Sequence, residues 1–169
     1  MAYDATPLQR VFREAMARVC TPVTIVTALS PGGAHGTTVS AFTSLSMDPP
    51  MVLVSLDRKS DLLALVSQTR RFGVNVLGSD QSAHAAAFAR KGTGKGAGFD
   101  WDLRPGVPRI PGASVFLACE VADLVEGGDH IIVLGNVAAV DSARDGEPLT
   151  YHARAFGTHA PHRDKTPVT

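Results

Sequence analysis

The sequence lacks several features, and each absence argues against a class of protein. It contains no apolar run long enough to form a membrane-spanning helix. Lysine and arginine together number 16, as do aspartate and glutamate, so the formal net charge is zero and the basic surplus of a nucleic-acid-binding surface is missing. Residues 1–7 include neither a basic region nor an apolar stretch, so no signal peptide is visible and we expect a cytoplasmic protein.

Cysteine is also scarce. Cys20 and Cys119 lie far apart, with no CxxC or Cys/His cluster around them. This favours free thiols in a reducing compartment, with a disulfide as the alternative.

The spacing of His159 and His162 suits a metal only on a helix, and Pro161 disfavours a helix, so we expect no metal site.

What is present is enough apolar material for one domain. The chain has 169 residues, of which 44% are hydrophobic. This size and composition predict a single domain with its own core. We expect the domain to span 7–157, with flexible tails at 1–6 and 158–169.

Helical patterns are confined to three segments. Thr6-Pro7 predicts an N-cap followed by the first helical residue, and apolar residues then recur at three- and four-residue steps as far as Val19. Ser60 is the predicted cap of a helix over 61–68. Ser79-Asp80 predicts the start of another helix that runs to about residue 90.

Extended segments outnumber these helices. β-Branched and alternating runs predict strands at 23–28, 35–42, 51–56, 72–77, 114–125 and 130–140. Turn residues join neighbouring strands, as in Glu126-Gly-Gly-Asp129. The expected fold class is therefore mainly β (α+β), an antiparallel barrel with a few peripheral helices rather than a βαβ fold.

Two segments predict loops. The segment 91–98 contains four glycines and two lysines but lacks the GxxxxGK[ST] order and a following helix, so we reject a nucleoside-triphosphate site there. The segment 105–112 contains three prolines and predicts an irregular connection.

The most informative segment runs from Gly36 to Pro50. Small hydroxyl residues alternate there with apolar ones, and a Pro-Pro pair closes the segment. Valine and threonine favour an extended backbone, and the hydroxyls are small donors that can approach a polar ligand closely. Two interpretations stay open for this segment alone: a strand entering a ligand-cradling loop, and a Ser/Thr-rich surface hairpin.

Four segments, in this order, resemble the flavin reductase-like family of split-barrel flavin-binding proteins. They are Gly36-Thr-Thr-Val-Ser-Ala-Phe-Thr-Ser-Leu-Ser-Met-Asp-Pro-Pro50, Val52-Leu-Val-Ser-Leu-Asp-Arg-Lys-Ser60, Phe72-Gly-Val-Asn-Val-Leu77 with Phe88-Ala-Arg90, and Gly128-Asp-His-Ile-Ile-Val-Leu-Gly135 with Pro148-Leu-Thr-Tyr151. The resemblance spans about residues 10–157. It implies a split antiparallel β-barrel and a cytoplasmic homodimer. It also implies an NAD(P)H:flavin oxidoreductase that reduces FMN or FAD with NADH or NADPH and supplies reduced flavin to a flavin-dependent monooxygenase.

The resemblance places a flavin ring and its side chain along the first motif. Val39 and Ser40 are the candidates for contact with the isoalloxazine ring, whose pyrimidine edge needs donors that strand N–H groups can supply. Thr37 and Ser44 are the candidates for the ribityl chain or the phosphate. Thr43 belongs to the same motif and is included among the cofactor-binding candidates.

The phosphate candidates surround the predicted strand-to-helix turn. Ser60 stands at a helix N-terminus, which favours anions, and Arg58 offers a bidentate charged contact. Asp57 would contribute only its backbone, because its carboxylate repels a phosphate. Ser55 and Leu56 complete this group. The alternative for the stretch is a capped helix with a surface arginine.

Three further candidates follow from the third motif. Phe88, Ala89 and Arg90 resemble a second phosphate-binding segment, in which Arg90 is the basic contact. Without the resemblance, Arg90 is an ordinary cation at a helix C-terminus.

His130 is the candidate catalytic residue. By itself a histidine in such a turn is structural or exposed, but the Gly-Asp-His motif resembles the family's nicotinamide site, where a neutral imidazole hydrogen-bonds the carboxamide or shapes the stacking pocket.

The C-terminal candidates are Tyr151, His152, Arg154 and Phe156. They resemble the C-terminal segment that borders the dinucleotide, with an exposed terminal strand as the alternative.

Two other functions stay open at this point. One is a flavin-binding protein without reductase turnover. The other is an oxidoreductase of the same fold that retains its flavin and acts directly on an organic substrate. The sequence does not separate FMN from FAD, or NADH from NADPH.

Overall fold

The computed structural model describes residues 5–90, 99–103, 106–142 and 146–161. The predicted loop at 91–98 and most of the two predicted tails lie outside these residues. In chain order, the elements are α1 (Pro7–Met16), β1 (Thr21–Pro22), β2 (Thr24–Ser30), β3 (Gly33–Val39), β4 (Phe42–Met47), β5 (Pro50–Asp57), α2 (Asp61–Thr69), β6 (Arg71–Val76), a 3-10 turn (Ser79–Gln81), α3 (Ser82–Ala89), β7 (Val115–Gly127), β8 (His130–Ser142), β9 (Leu149–His152) and β10 (Ala155–Thr158).

One antiparallel sheet forms the body of the protein, in the order β3-β2-β6-β7-β8-β5-β4. Its two edge strands follow each other in the chain, with only Ser40 and Ala41 between them. A two-residue link can join opposite edges only if the sheet curls and brings them together. The Ser55 N–H, which donates to the Ala41 carbonyl at 3.0 Å, fastens this junction. The sheet is therefore wrapped into a barrel, and the predicted mainly β fold is confirmed.

The core fills the interior of this barrel. Val26, Val54 and Phe72 are fully buried there, and α2 covers the cluster with Leu62 and Val66. A second buried cluster, which includes Ile25 and Phe88, lies where α3 packs on β2 and β3. Burial of this apolar surface is the main driving force for the fold.

The structure divides the Gly36–Pro50 segment differently from the sequence prediction. The predicted strand 35–42 ends at Val39, the chain bends at Ser40-Ala41, and the following residues pair with β5 as an edge strand. A tight turn that contains a cis Asp48–Pro49 peptide joins β4 to β5. Both interpretations of the segment therefore describe part of it, since β3 and the bend border a groove while β4 and β5 form a hairpin.

The helix α1 starts as predicted but buries none of its residues. Thr6 caps it through a reciprocal bond pair with Gln9, which forms a capping box. The apolar face points to solvent in the single chain, with Leu8 77% and Phe12 62% exposed. The last helical residue is Met16, three residues before the predicted apolar face ends.

A small second sheet, in the order β1-β9-β10, is absent from the sequence prediction. It is connected to the N-terminal helix, because the Ala153 N–H donates to the Ala17 carbonyl at 2.7 Å and Arg154 pairs with Glu14. The last strand extends to Thr158. Among the helices that the structure describes, none has the length and apolarity needed to cross a membrane.

Candidate functional site

A groove of about 530 Å³ opens beside β3 and β5, at the start of α2. Its volume falls within the range of about 300–1,000 Å³ that is usual for small-molecule sites. The residues that line it are His35, Thr37, Thr38, Val39, Ser40, Ala41, Ser55, Leu56, Asp57, Lys59, Ser60, Asp61, Ala89 and His130.

Close packing of α3 against β3 holds one wall of the groove. A Cβ atom at Gly36 would lie 3.1 Å from side-chain atoms of both Ile25 and Phe88, so a glycine lets the helix approach the strand. The Thr38 hydroxyl donates to the Ala85 carbonyl at 2.7 Å and fastens the helix there. The backbone of β3 therefore forms a fixed edge against which a flat ligand can lie.

The turn from β5 into α2 forms the polar end of the groove. The Asp57 carboxylate accepts the Lys59 N–H at 2.7 Å, and the Asp57 carbonyl accepts the Ser60 N–H at 2.9 Å. Ser60 is the N-cap of α2 but makes no side-chain capping bond. Its hydroxyl, the Lys59 ammonium group and the N–H groups of the first helical turn are therefore donors for an anion.

Two carboxylates oppose this preference for an anion. Asp57 and Asp61 both line the groove beside Lys59. The Asp57 carboxylate is engaged by the turn, where it accepts the Lys59 N–H. The donors at this end must therefore outweigh a local negative charge when they bind a phosphate.

Arg58 faces a different part of the molecule. Its Nε–H donates to the Gly128 carbonyl at 2.8 Å, and its Nη1 lies 3.5 Å from a carboxylate oxygen of Glu126. Its backbone N–H donates to the Asp129 carbonyl at 3.0 Å. The guanidinium group is absent from the groove lining, so the structure does not bring it to the predicted phosphate position.

His130 is the first residue of β8 and lies directly across from Asp57, where the polar turn begins. Its Nδ1 lies 2.7 Å from Oδ1 of Asp129, and 42% of its side chain is exposed. This hydrogen bond, together with the charge of the ring, lowers the pKa of the Asp129 carboxyl group from its usual value. With Nδ1 engaged, Nε2 is the ring nitrogen left to face a ligand.

The structure brings half of the predicted site residues together. Nine of them line the groove: Thr37, Val39, Ser40, Ser55, Leu56, Asp57, Ser60, Ala89 and His130. Five further lining residues were not predicted: His35, Thr38, Ala41, Lys59 and Asp61. Thr38, Ala41, Lys59 and Asp61 each directly neighbour a predicted residue, and His35 immediately precedes the first motif.

The other predicted residues lie elsewhere in the fold. Thr43 and Ser44 are exposed on β4, Phe88 is buried in the core, and Arg90 is exposed just beyond α3. The C-terminal candidates lie on the β9–β10 hairpin and are also absent from the groove lining: Tyr151, His152, Arg154 and Phe156. Within the part of the chain that is described, no three His, Cys, Asp or Glu side chains are grouped to hold a metal ion.

A curled antiparallel barrel with a polar groove at its surface is an architecture of ligand-binding β proteins. Comparison with known proteins identifies the family within this class. Residues 16–160 match the flavin reductase like domain, and the chain belongs to this family.

Two of the similar proteins are named as reductases. The chain is 40% identical over 94% of its length, and 85% of the relative's, to the reductase component of a 4-nitrophenol 4-monooxygenase/4-nitrocatechol 2-monooxygenase from Rhodococcus opacus. It is also 40% identical, over 88% of its length and 84% of the relative's, to an FMN reductase (NADH) of Agrobacterium fabrum.

A solved structure extends this agreement to the fold. It is an NADH:FAD oxidoreductase from Streptomyces globisporus in complex with NAD and FAD fragments, with a TM-score of 0.87 at 32% identity, covering 96% of this chain and 100% of that one. The predicted split-barrel fold and the predicted flavin reductase activity, with flavin and a nicotinamide nucleotide as cofactors, are confirmed.

Proposed function

We propose that this chain is the reductase component of a two-component monooxygenase. It reduces FMN or FAD with NADH or NADPH in the groove beside β3 and β5, and it works in the cytoplasm as a homodimer of a single domain over residues 7–157. The observation that carries the proposal is the convergence of residues from all four sequence motifs on this one groove. Reduced flavin then passes to a separate monooxygenase, as the names of the relatives suggest.

The groove has the chemistry that a flavin requires. The backbone of β3 around Val39 and Ser40 offers donors to the edge of the ring, and Thr37 lies farther along the same strand for the ribityl chain. Lys59 and Ser60 offer a cation and a helix N-terminus to the phosphate. Lys59 replaces Arg58 as the phosphate cation in this proposal.

His130 receives the nicotinamide in this arrangement. When bound, the nicotinamide and the flavin supply the hydride transfer themselves. The protein holds the two rings at stacking distance, and His130 Nε2 orients the nicotinamide carboxamide. No proton transfer by His130 is needed for this role.

The proposed homodimer covers the apolar face of α1. That face, which comprises Leu8, Val11, Phe12 and Met16, is exposed in the single chain, although helical periodicity places these side chains together. Contiguous apolar patches of this kind mark protein interfaces. A second copy of the chain is the proposed occupant, in agreement with the family resemblance.

The test of the function is steady-state turnover by the purified protein. FMN or FAD is added in turn, followed by NADH or NADPH, and the nicotinamide absorbance is followed with and without flavin. We expect nucleotide oxidation that depends on added flavin. A protein that binds flavin but oxidises neither nucleotide would instead be a flavin carrier, and the reductase proposal would be wrong.

A further inference from the structure

Arg58 makes three contacts with the end of the β7–β8 hairpin that carries His130. Its backbone N–H and Nε–H donate to the carbonyls of Asp129 and Gly128, and Nη1 lies near Glu126. We infer that Arg58 is a positioning residue for His130, which fixes the turn so that the imidazole faces the groove. The inference rests on the proposed function, because it assumes that His130 contacts the nicotinamide.

The turn needs such support because its own backbone is permissive. It consists of Gly128 and Asp129 between two long strands, and Gly128 has a φ of 66° in the left-handed region. Glycine adopts positive and negative φ angles with similar ease, so the residue itself does not hold the turn in one conformation. Backbone pairing with β5 ends at Asp57 and His130, where β5 leaves for α2. Beyond that pair, Arg58 provides the contacts between the two segments.

A chain of contacts leads from Arg58 to the imidazole. The arginine holds the main chain of Gly128 and Asp129, and the Asp129 carboxylate lies 2.7 Å from Nδ1 of His130. Once Nδ1 is fixed, the plane of the ring and the direction of Nε2 are fixed too. Loss of the guanidinium group would free the Gly128 carbonyl and let the ring change its position relative to the groove.

The adjacent lysine provides a matched control. Lys59 lines the groove while Arg58 does not, although both are cationic and consecutive in the sequence. The two residues therefore predict opposite kinetic effects. Lys59→Ala should weaken flavin binding, whereas Arg58→Ala should act on the nucleotide.

The experiment measures the flavin dissociation constant and the NADH kinetic constants of both variants. We expect Arg58→Ala to raise the KM for NADH about tenfold, the effect of losing the hydrogen bond from His130 to the nucleotide, with the flavin dissociation constant unchanged. Lys59→Ala should show the reverse pattern. Arg58→Ala should add nothing in a His130→Ala background, because both changes remove the same interaction. An increase in the flavin dissociation constant equal to that of Lys59→Ala, or full additivity with His130→Ala, would overturn the inference.

Two further measurements keep the test independent of folding and of turnover. Arg58→Met keeps a long side chain but has no N–H donor, so we expect it to behave as Arg58→Ala does, and wild-type kinetics in this variant would overturn the inference. In the protein without cofactors, nitrogen NMR of the histidine rings should show loss of the His130 Nδ1 bond in both Arg58 variants but not in Lys59→Ala. A bond unchanged in the Arg58 variants would also overturn it. This NMR result does not depend on turnover, so it separates failure of the inference from failure of the proposed function.

Discussion

The substitution Phe12→Ser tests whether the exposed face of α1 is a subunit interface. Phe12 lies near the middle of that face and is 62% exposed in the single chain. Its removal leaves the core of the barrel intact, since no residue of α1 is buried. Any effect on self-association therefore arises from the face itself rather than from loss of folding.

The size of the effect follows from the exposed area. A phenylalanine side chain presents about 200 Å², so the exposed part of Phe12 is about 120 Å² and its burial contributes about 3 kcal/mol. In a twofold-symmetric dimer, two copies are buried if the helix lies within the interface, which makes about 6 kcal/mol. The dimer dissociation constant should then rise by up to about 10,000-fold.

Sedimentation equilibrium over a range of protein concentrations measures this constant. Arg13→Ser is the matched control, because Arg13 lies on the same helix outside the apolar face and is also exposed. We expect Phe12→Ser to be monomeric at concentrations where the wild type and Arg13→Ser are dimeric. A wild type that is monomeric at every concentration, or a Phe12→Ser dimer as tight as the control, would refute the reasoning.

Three further predictions concern the nicotinamide site, the core and the thiols. His130→Ala should raise the KM for the nicotinamide nucleotide about tenfold and leave the flavin dissociation constant unchanged, and equal increases in both would disprove the placement of His130. Gly135→Ala should destabilise the fold by about 1–3 kcal/mol in urea denaturation, because its Cβ would overlap the buried Phe72 ring; unchanged stability would contradict this packing. Burial raises the pKa of the Cys119 thiol to about 12, so at pH 8 a thiol reagent should modify exposed Cys20 at once and Cys119 only on unfolding. The fold favours the neutral Cys119 thiol, so the contribution of this group to stability should fall as the pH rises from about 8.5 towards about 12. Rapid reaction of both thiols in the folded protein would be inconsistent with the burial of Cys119.

The sequence predicted the barrel because its longest strands have unambiguous patterns. The strands predicted at 114–125 and 130–140, joined by a Gly-Gly turn, correspond to β7 and β8, which extend a few residues farther at their ends. Regular alternation and a turn with glycine are local signals, so one sequence is enough to read them. The predicted helix cap at Thr6 is confirmed for the same reason.

An element that was missed, β1, depends on a distant partner. β1 has two residues, one of them Pro22, and becomes a strand only because β9 pairs with it from the other end of the chain. For β4, the sequence left a ligand-cradling loop and a surface hairpin both open, and the pairing of Thr43 and its neighbours with β5 shows that the hairpin describes this part of the segment. The pairing of β1 leaves no pattern in the local sequence.

The different directions of the Arg58 and Lys59 side chains could be learned only from the structure. Both cations follow Asp57 in a segment that the sequence predicts as a phosphate site, and arginine is the better bidentate ligand by type. The turn that the Asp57 carboxylate closes determines the direction of each side chain. It places Lys59 on the groove and leaves Arg58 against the hairpin turn.

The most direct test of the central claim, that the flavin lies in this groove, is a flavin titration of Ser55→Trp. Ser55 lines the groove on β5, so an indole there would occupy the space assigned to the flavin. Ser142→Trp, on the far end of β8 and absent from the groove lining, is the control. We expect the flavin dissociation constant to rise at least about 100-fold in Ser55→Trp, a loss of about 3 kcal/mol or more, and to stay unchanged in the control. Wild-type affinity in a folded Ser55→Trp variant would contradict the claim.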